Sequence, residues 1–321
     1  MYSLHTNTGA MGAQRFLRSN DSDLSRAQSQ TSSGLRVLKS ADNAAYWSIA
    51  TTIKSDKKAL DAVQDGLGFG SAVIDTASVG FSQVIDVMGV IKQKLVAARE
   101  PGVDRDKVNA ELSELRSEVR TIAEASSFAG ENWLHMTQAG QDGPQEVIAS
   151  VTRSLNTGTS VRTIDYDMTS VADTEQVFYI VDDDTGESGI VTNSAFADNL
   201  GLATDWVLFN SVNSAGHAEI EISNATEDSD IDDMISVVDA MTQKMIARAA
   251  TLGALQQRID LQTEFNDDLG DAMKRGVGKL IDANMNAVSA RLSALQTQQQ
   301  LGQSALSIAN EQPQSILRLY S

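Results

Sequence analysis

Three histidines, His5, His135 and His217, are the residues best suited to proton transfer near neutral pH or to imidazole ligation of a metal, and there is no cysteine. The missing thiol excludes a disulfide framework, a cysteine nucleophile and any thiolate metal site. The histidines share no ligand spacing with one another or with an acid cluster, and no HExxH motif occurs, so a zinc-protease helix is excluded. Asp182, Asp183, Asp184, Thr185 and Gly186 invite a calcium-loop reading. The EF-hand loop needs glycine at its sixth position and glutamate at its twelfth. Counted from Asp182, the glycine falls fifth and no glutamate stands at twelve, so a strand-connecting turn is expected. Glu227, Asp228, Asp230, Asp232 and Asp233 sit where a helix should begin, and acids there face the positive end of the macrodipole. Gly66, Gly68 and Gly70 lie inside a helical pattern and not after a strand. They are no phosphate loop; they mark a soft point or a close helix contact. No nucleophile with its base and no carboxylate dyad stands out. The expectation is a chain that is not an enzyme, with no catalytic, cofactor-binding or metal residue.

Long helices dominate the rest. From Tyr46 to Leu95 an apolar seam recurs at alternating steps of three and four, interrupted only by Asp56 and Gly70. Such spacing puts one sticky stripe on a single rod. Fifty residues at 1.5 Å each make about 75 Å. After Pro101 and Gly102, Asp104 should cap a second helix with its seam at Val108, Leu112, Leu115, Val119 and Ile122. A short connection between matching stripes predicts an antiparallel hairpin. Helix returns near Ile231 and its register slips near Val277, where a joint is expected. Strand-like alternation appears at Val161–Tyr166, at Gln176–Val181 and around Ile220 and Ile222. The fold class expected is mainly α: a long antiparallel coiled-coil or helical bundle built from both chain ends, with a small β-rich inserted outer domain.

Charge follows the same division. Of 43 acidic residues, 17 lie between Thr163 and Asp233, a stretch without lysine or arginine. Elsewhere 26 acids face 25 bases. Near-neutral ends can approach copies of themselves, while the acidic middle should stay solvated and disfavours nucleic acid or anionic membrane. No signal-peptide pattern is expected, no stretch is expected to be long and apolar enough to span a bilayer, and no membrane insertion is expected.

Near the N-terminus stand Thr31, Ser32, Ser33, Gly34, Leu35, Arg36 and Val37, then Ser40, Ala41, Asp42, Asn43, Ala44 and Ala45 at the opening of the long helix. In these segments the chain resembles bacterial flagellin. Phe128, Ala129 and Gly130 stand where many members have Phe-Asn-Gly. Ala305–Asn310 and Ser315–Leu319 look like the closing helix, and Leu295–Leu301 is most similar to α-proteobacterial members. One departure is the ending Leu319, Tyr320, Ser321.

The resemblance implies a structural subunit that self-assembles into the helical flagellar filament for swimming motility. A hook–filament junction protein and, from another class, an intracellular coiled-coil adaptor are the alternatives. It implies three domains: terminal helical segments 1–44 and 278–321 as an inner tube, a helical bundle with a β-hairpin at 45–170 and 227–277, and a variable β-rich outer domain at 171–226. The expected assembly interface is Leu24, Ser33, Gly34, Leu35, Arg36, Val37, Leu38, Leu292, Leu295, Ile308, Ile316, Leu317 and Leu319. Expected partners are the chain itself as a helical homopolymer, other flagellins, the flagellar export machinery, a secretion chaperone, and cap and hook-junction proteins. The location implied is extracellular, reached without a cleaved signal peptide. Lys92, Gln93 and Lys94 replace the Arg-Glu-Leu that enterobacterial members present to the flagellin-sensing Toll-like receptor, which implies weak signalling in a receptor reporter assay.

Overall fold

The computed structural model describes residues 6–137, 145–154, 158–166, 179–211 and 216–319. In chain order the elements are α1 (Thr8–Ser33), α2 (Ala44–Ala98), α3 (Arg105–Ala125), β1 (Ser127–Phe128), β2 (Glu131–Asn132), β3 (His135–Met136), β4 (Gln145–Ser154), β5 (Gly158–Tyr166), β6 (Val181–Asp182), α4 (Ala195–Asn199), β7 (Trp206–Val207), β8 (Ala218–Glu219), α5 (Asp228–Ile281) and α6 (Met285–Leu319). Two compact units result, Met1–Lys58 with Leu269–Ser321, and Ala59–Asp268.

In the second unit the α2 seam behaves as its spacing predicts. Leu60, Val63, Leu67, Ile74, Phe81, Val84, Met88, Ile91 and Leu95 are buried. From Val63 onward they share one core with Leu112 and Val119 of α3 and with Ile231, Met234, Val238, Met241 and Met245 of α5. Lys94 pairs with Glu111, and the Gly80 backbone abuts Ser126, so α2 and α3 run antiparallel. Asp104 is the N-cap residue of α3 as expected, but its side chain makes no capping hydrogen bond; its carboxylate binds Lys107 at 3.1 Å. Asn224 instead accepts from the Arg105 N–H at 3.1 Å.

One expectation is corrected here. By length and composition α2 is apolar enough to cross a bilayer. The cause is the same heptad seam, and in this fold that seam faces protein from Leu60 to Leu95.

Among the described residues the sheets are all two-stranded: β1–β2 and β4–β5 antiparallel, β3–β6 and β7–β8 parallel. The β4–β5 hairpin lies on the glycines of α2. A Cβ at Gly70 would strike Val147, and one at Gly66 would touch Ile148 at 3.5 Å, whereas Gly68 faces open space. The glycine run is therefore a close contact, made with a hairpin and not with a helix. A bulge at Ala149 turns its carbonyl to the buried Asn266 amide of α5 at 3.3 Å. Between residues 179 and 222 strand structure is shorter than the alternation suggested. Tyr179 forms only an isolated bridge, Ile220 and Ile222 are buried just past β8, and α4 was not expected. Val177 and Phe178 of the expected Gln176–Val181 strand lie outside the described residues.

The acids of the middle are solvated in part: Asp228, Asp232 and Glu221 stay exposed, whereas Asp183 and Glu219 are more covered. Arginines of α3 and Arg99, just past α2, pair with them: Arg99 to Asp232 at 2.8 Å, Arg105 to Asp228, Arg116 to Glu219 at 2.9 Å and Glu221 at 2.7 Å, and Arg120 to Asp183 at 3.1 Å.

Candidate functional site

The first unit is built on the pairing of α1 with α6. Asn7 begins α1 twice over: its Oδ1 accepts from the Ala10 N–H at 2.9 Å, and its Nδ2 donates to the Ala309 carbonyl at 2.7 Å. Further along, Asn20 donates to the Leu295 carbonyl at 3.0 Å, and Gln299 donates to Asp21 at 2.8 Å. These ties run low to high on one helix and high to low on the other, so the pair is antiparallel. Its apolar seam holds Leu24, Ala27 and Leu295, with Leu292 packed alongside. Asn20 is buried and its Oδ1 has no partner. A polar group inside such a seam costs stability and fixes register.

α1 ends at Gly34, which takes φ 72° and donates to the Gln30 carbonyl. A left-handed terminal residue of this kind is where glycine is favoured. The next residues cross the break between α5 and α6. Arg36 and Val37 donate their N–H groups to the Ile281 carbonyl, and Ala283 donates to the Gly34 carbonyl at 2.9 Å. Val37, Ala50, Val277 and Ile281 form a small core beneath this crossing, with Leu35 against it. The Arg36 guanidinium donates to the Leu280 carbonyl at 2.8 Å and lies 5.8 Å above the Tyr46 ring. The break falls at 282–284, just past the slip at Val277, because Asn284 accepts from the Ala287 N–H and restarts the helix. Asp42 accepts from the N–H groups of Leu38 and Lys39 at 3.0 and 3.1 Å, and these bonds lower its pKa.

The expected interface residues separate into two classes. Leu24, Val37 and Leu295 are buried inside the unit, and Leu35 and Leu292 half-buried. Ser33, Arg36, Leu38 and Ile308 are exposed, Leu38 at 48% and Ile308 at 64%. The side chains of Ile316, Leu317 and Leu319 lie outside the described residues. Sequence reasoning missed Met11, Phe16 and Leu301, three more large apolar side chains on the outside, with Phe16 at 48% and Leu301 at 64%. The signal was the adjacent pair Phe16–Leu17. A Cβ on Gly302 would sit 2.8 Å from Leu17 and 3.3 Å from Phe16, so both side chains flank this glycine while Phe16 stays largely outside. Gly9, Gly12, Ala13, Phe16, Leu301 and Ala305 line an apolar groove.

In the second unit the Asp182 loop is the turn that its spacing suggested. The buried Asp182 accepts from Asp184, Thr185 and Ser188, so its oxygens are committed to the loop. His135, by contrast, is not isolated. Its Nε2 lies 2.8 Å from Asp183 Oδ2, and Glu124 stands beside the pair. Parallel pairing of β3 with β6 brings these together, a contact 48 residues long that no local spacing announces. Lys92 bonds Asp239 at 2.5 Å and Lys94 bonds Glu111, so both lysines of the expected receptor-facing segment carry partners within the chain.

Comparison with known proteins agrees with the resemblance at both ends. The bacterial flagellin N-terminal helical region matches residues 4–139, and the bacterial flagellin C-terminal helical region matches residues 235–320. Flagellin C of Rhizobium meliloti is 45% identical over 326 residues, covering 100% of this chain and 99% of that protein. A flagellin of Brucella melitensis is 35% identical over 321 residues, covering 100% and 99%. A solved Vibrio parahaemolyticus chain, described provisionally as a flagellar hook-associated protein, shares the fold at TM-score 0.50 with 12% identity, covering 75% of this chain and all of that one.

Proposed function

Because the chain belongs to the bacterial flagellin family, with α-proteobacterial relatives, and is thus a structural subunit of the extracellular flagellar filament, we propose that its terminal hairpin is the surface through which copies join. The observation that carries this is the set of exposed apolar side chains Met11, Phe16, Leu301 and Ile308, of which Phe16 and Leu301 line one groove, beside a seam already closed within the chain. Fully burying such a side chain is worth about 1.5–3 kcal/mol. These are about half exposed, so each has on the order of 1 kcal/mol left to gain. One such contact cannot offset the entropy of association, but several neighbours sharing such contacts can. A head-to-tail contact that does not close into a ring extends as a helix.

In this reading the interface comprises Leu24, Ser33, Gly34, Leu35, Arg36, Val37, Leu38, Leu292, Leu295, Ile308, Ile316, Leu317 and Leu319, joined by Phe16 and Leu301. The buried members act by holding the hairpin in shape, and the exposed members touch the neighbour. Segments 1–44 and 278–321 form the inner tube, 45–170 and 227–277 the bundle around it, and 171–226 the outer domain. The finer partners are the export machinery, a chaperone, and cap and hook-junction proteins, and the chain leaves the cell without a cleaved signal. Lys92, Gln93 and Lys94 weaken receptor recognition by presenting paired lysines and an amide.

The test is electron microscopy of the purified chain after salting out with sulfate or after adding short filament seeds. Long filaments are expected from the native chain. Leu301→Asp should raise the concentration needed for assembly at least tenfold while leaving the helical circular dichroism intact. Native chains that stay monomeric beside competent seeds would favour a junction protein, and an indifferent Leu301→Asp would move the interface elsewhere.

A further inference from the structure

Glu124, His135 and Asp183 converge from three segments, and their ligand atoms all lie within 4.8 Å of one another. Asn132 builds much of this arrangement. Its Nδ2 donates to the Ala123 and Glu124 carbonyls at the end of α3, at 2.8 and 3.2 Å. Its Oδ1 accepts from the Leu134 and His135 N–H groups at 2.8 and 3.0 Å. One side chain thus fixes the backbone of Glu124 against that of His135. On the other side the Asp183 N–H donates to the Met136 carbonyl at 2.9 Å, which sets Asp183 beside the imidazole. The carboxylate of Asp183 is in turn held by Arg120 at 3.1 and 3.2 Å, and Arg120 lies 4.6 Å above the Phe209 ring. Outer partners of this kind orient ligating carboxylates in metal sites.

We propose that Glu124, His135 and Asp183 form a binding site for a first-row divalent cation of the zinc class. The donor set is one imidazole and two carboxylates, which suits zinc, cobalt or nickel and not calcium or magnesium. With zinc–ligand bonds of about 2.0–2.2 Å, donors on one tetrahedral ion lie about 3.3–3.6 Å apart. His135 Nε2 and Asp183 Oδ2, at 2.8 Å, need open by well under 1 Å. Glu124 is exposed and can swing inward. To ligate, Nε2 releases to solvent the proton that it shares with Asp183, and the neutral ring then carries its proton on Nδ1. Two carboxylates against one guanidinium leave a net charge of −1, which a dication reverses. The nearby Arg120 charge weakens the affinity. Bound metal would staple the end of α3 to the segment after β6.

The test is calorimetric titration of the full-length monomer with zinc chloride, repeated with cobalt to read its visible absorption. One site per chain with micromolar affinity is expected, together with a raised Tm. His135→Ala should abolish binding. Glu124→Gln, on an exposed side chain, should weaken it about tenfold without affecting the fold. His217→Ala should leave it unchanged. The proposal is overturned by a native chain with no saturable binding, by binding that survives His135→Ala, or by binding that is lost with His217→Ala.

Discussion

At Ala129 a side chain sits where glycine or asparagine belongs. The β1–β2 hairpin pairs Phe128 with Glu131, which leaves Ala129 and Gly130 as a two-residue loop with φ of 52° and 95°. Such loops require positive φ at both positions, and an alanine there is strained by about 1–2 kcal/mol. Ala129→Gly is therefore expected to stabilise the chain by about 1 kcal/mol, offset in part by glycine's unfolded-state entropy. Chemical denaturation would show it as a raised midpoint at constant slope. Gly70 and Gly68 make the opposite case within one helix. Gly70→Ala drives a methyl into Val147 and should cost about 1–3 kcal/mol, whereas Gly68→Ala meets nothing and should gain up to about 1 kcal/mol of helix propensity. Equal effects of the two substitutions in thermal melting would refute this account of the glycine run. The sequence showed that these glycines were unusual in a helix, but not which of them was in contact. That depends on the hairpin, whose register is set 80 residues away. The same limit applied to His135, whose partner Asp183 arrives only through β3–β6 pairing.

Among the elements, α2 was legible because its heptad spacing and its burial have one cause. Where the two diverge, near Tyr46 and Ile49, the apolar side chains stay exposed and the buried position moves to Ala50. The short strands were illegible because a two-residue bridge has no period to read. The start of α5 was read as acids facing a helix dipole, and the fold adds two arginines to them. Hydrogen bonds from Arg105 to Asp228 and from Arg99 to Asp232 hold both carboxyls below their ordinary value near 3.8. A depressed folded pKa means the ionised form is favoured in the folded state. That stability is full above the unfolded value and disappears as pH falls through the folded one. The thermal midpoint should therefore drop as pH is lowered from 5 to 3, and Asp228→Asn should flatten the acid limb of that profile. A native profile unchanged across this range would show that the arginines contribute nothing there.

For the whole molecule, the family and the helical plan could be read from the two ends, because the motifs around Ser33–Val37 and Ala305–Asn310 are local in sequence. The assembly surface was only half readable. Apolar residue type marked Leu24 and Leu295 as well as Leu38 and Ile308, but type alone cannot separate a seam closed within the chain from a face left open. That distinction belongs to the antiparallel pairing of α1 with α6, which joins Asn7 to Ala309, 302 residues apart. The pairing also sets a clock. A ribosome adds about 5–20 residues per second, so α1 emerges on the order of 15–60 s before α6 exists to receive it. The α2–α3 hairpin, tied by Lys94 and Glu111, can close early in that interval. Nascent chains stalled before residue 285 should thus show α1 open to protease while α2 and α3 resist it. The direction of translation alone gives any factor that must grip an unpaired α1 its time to do so.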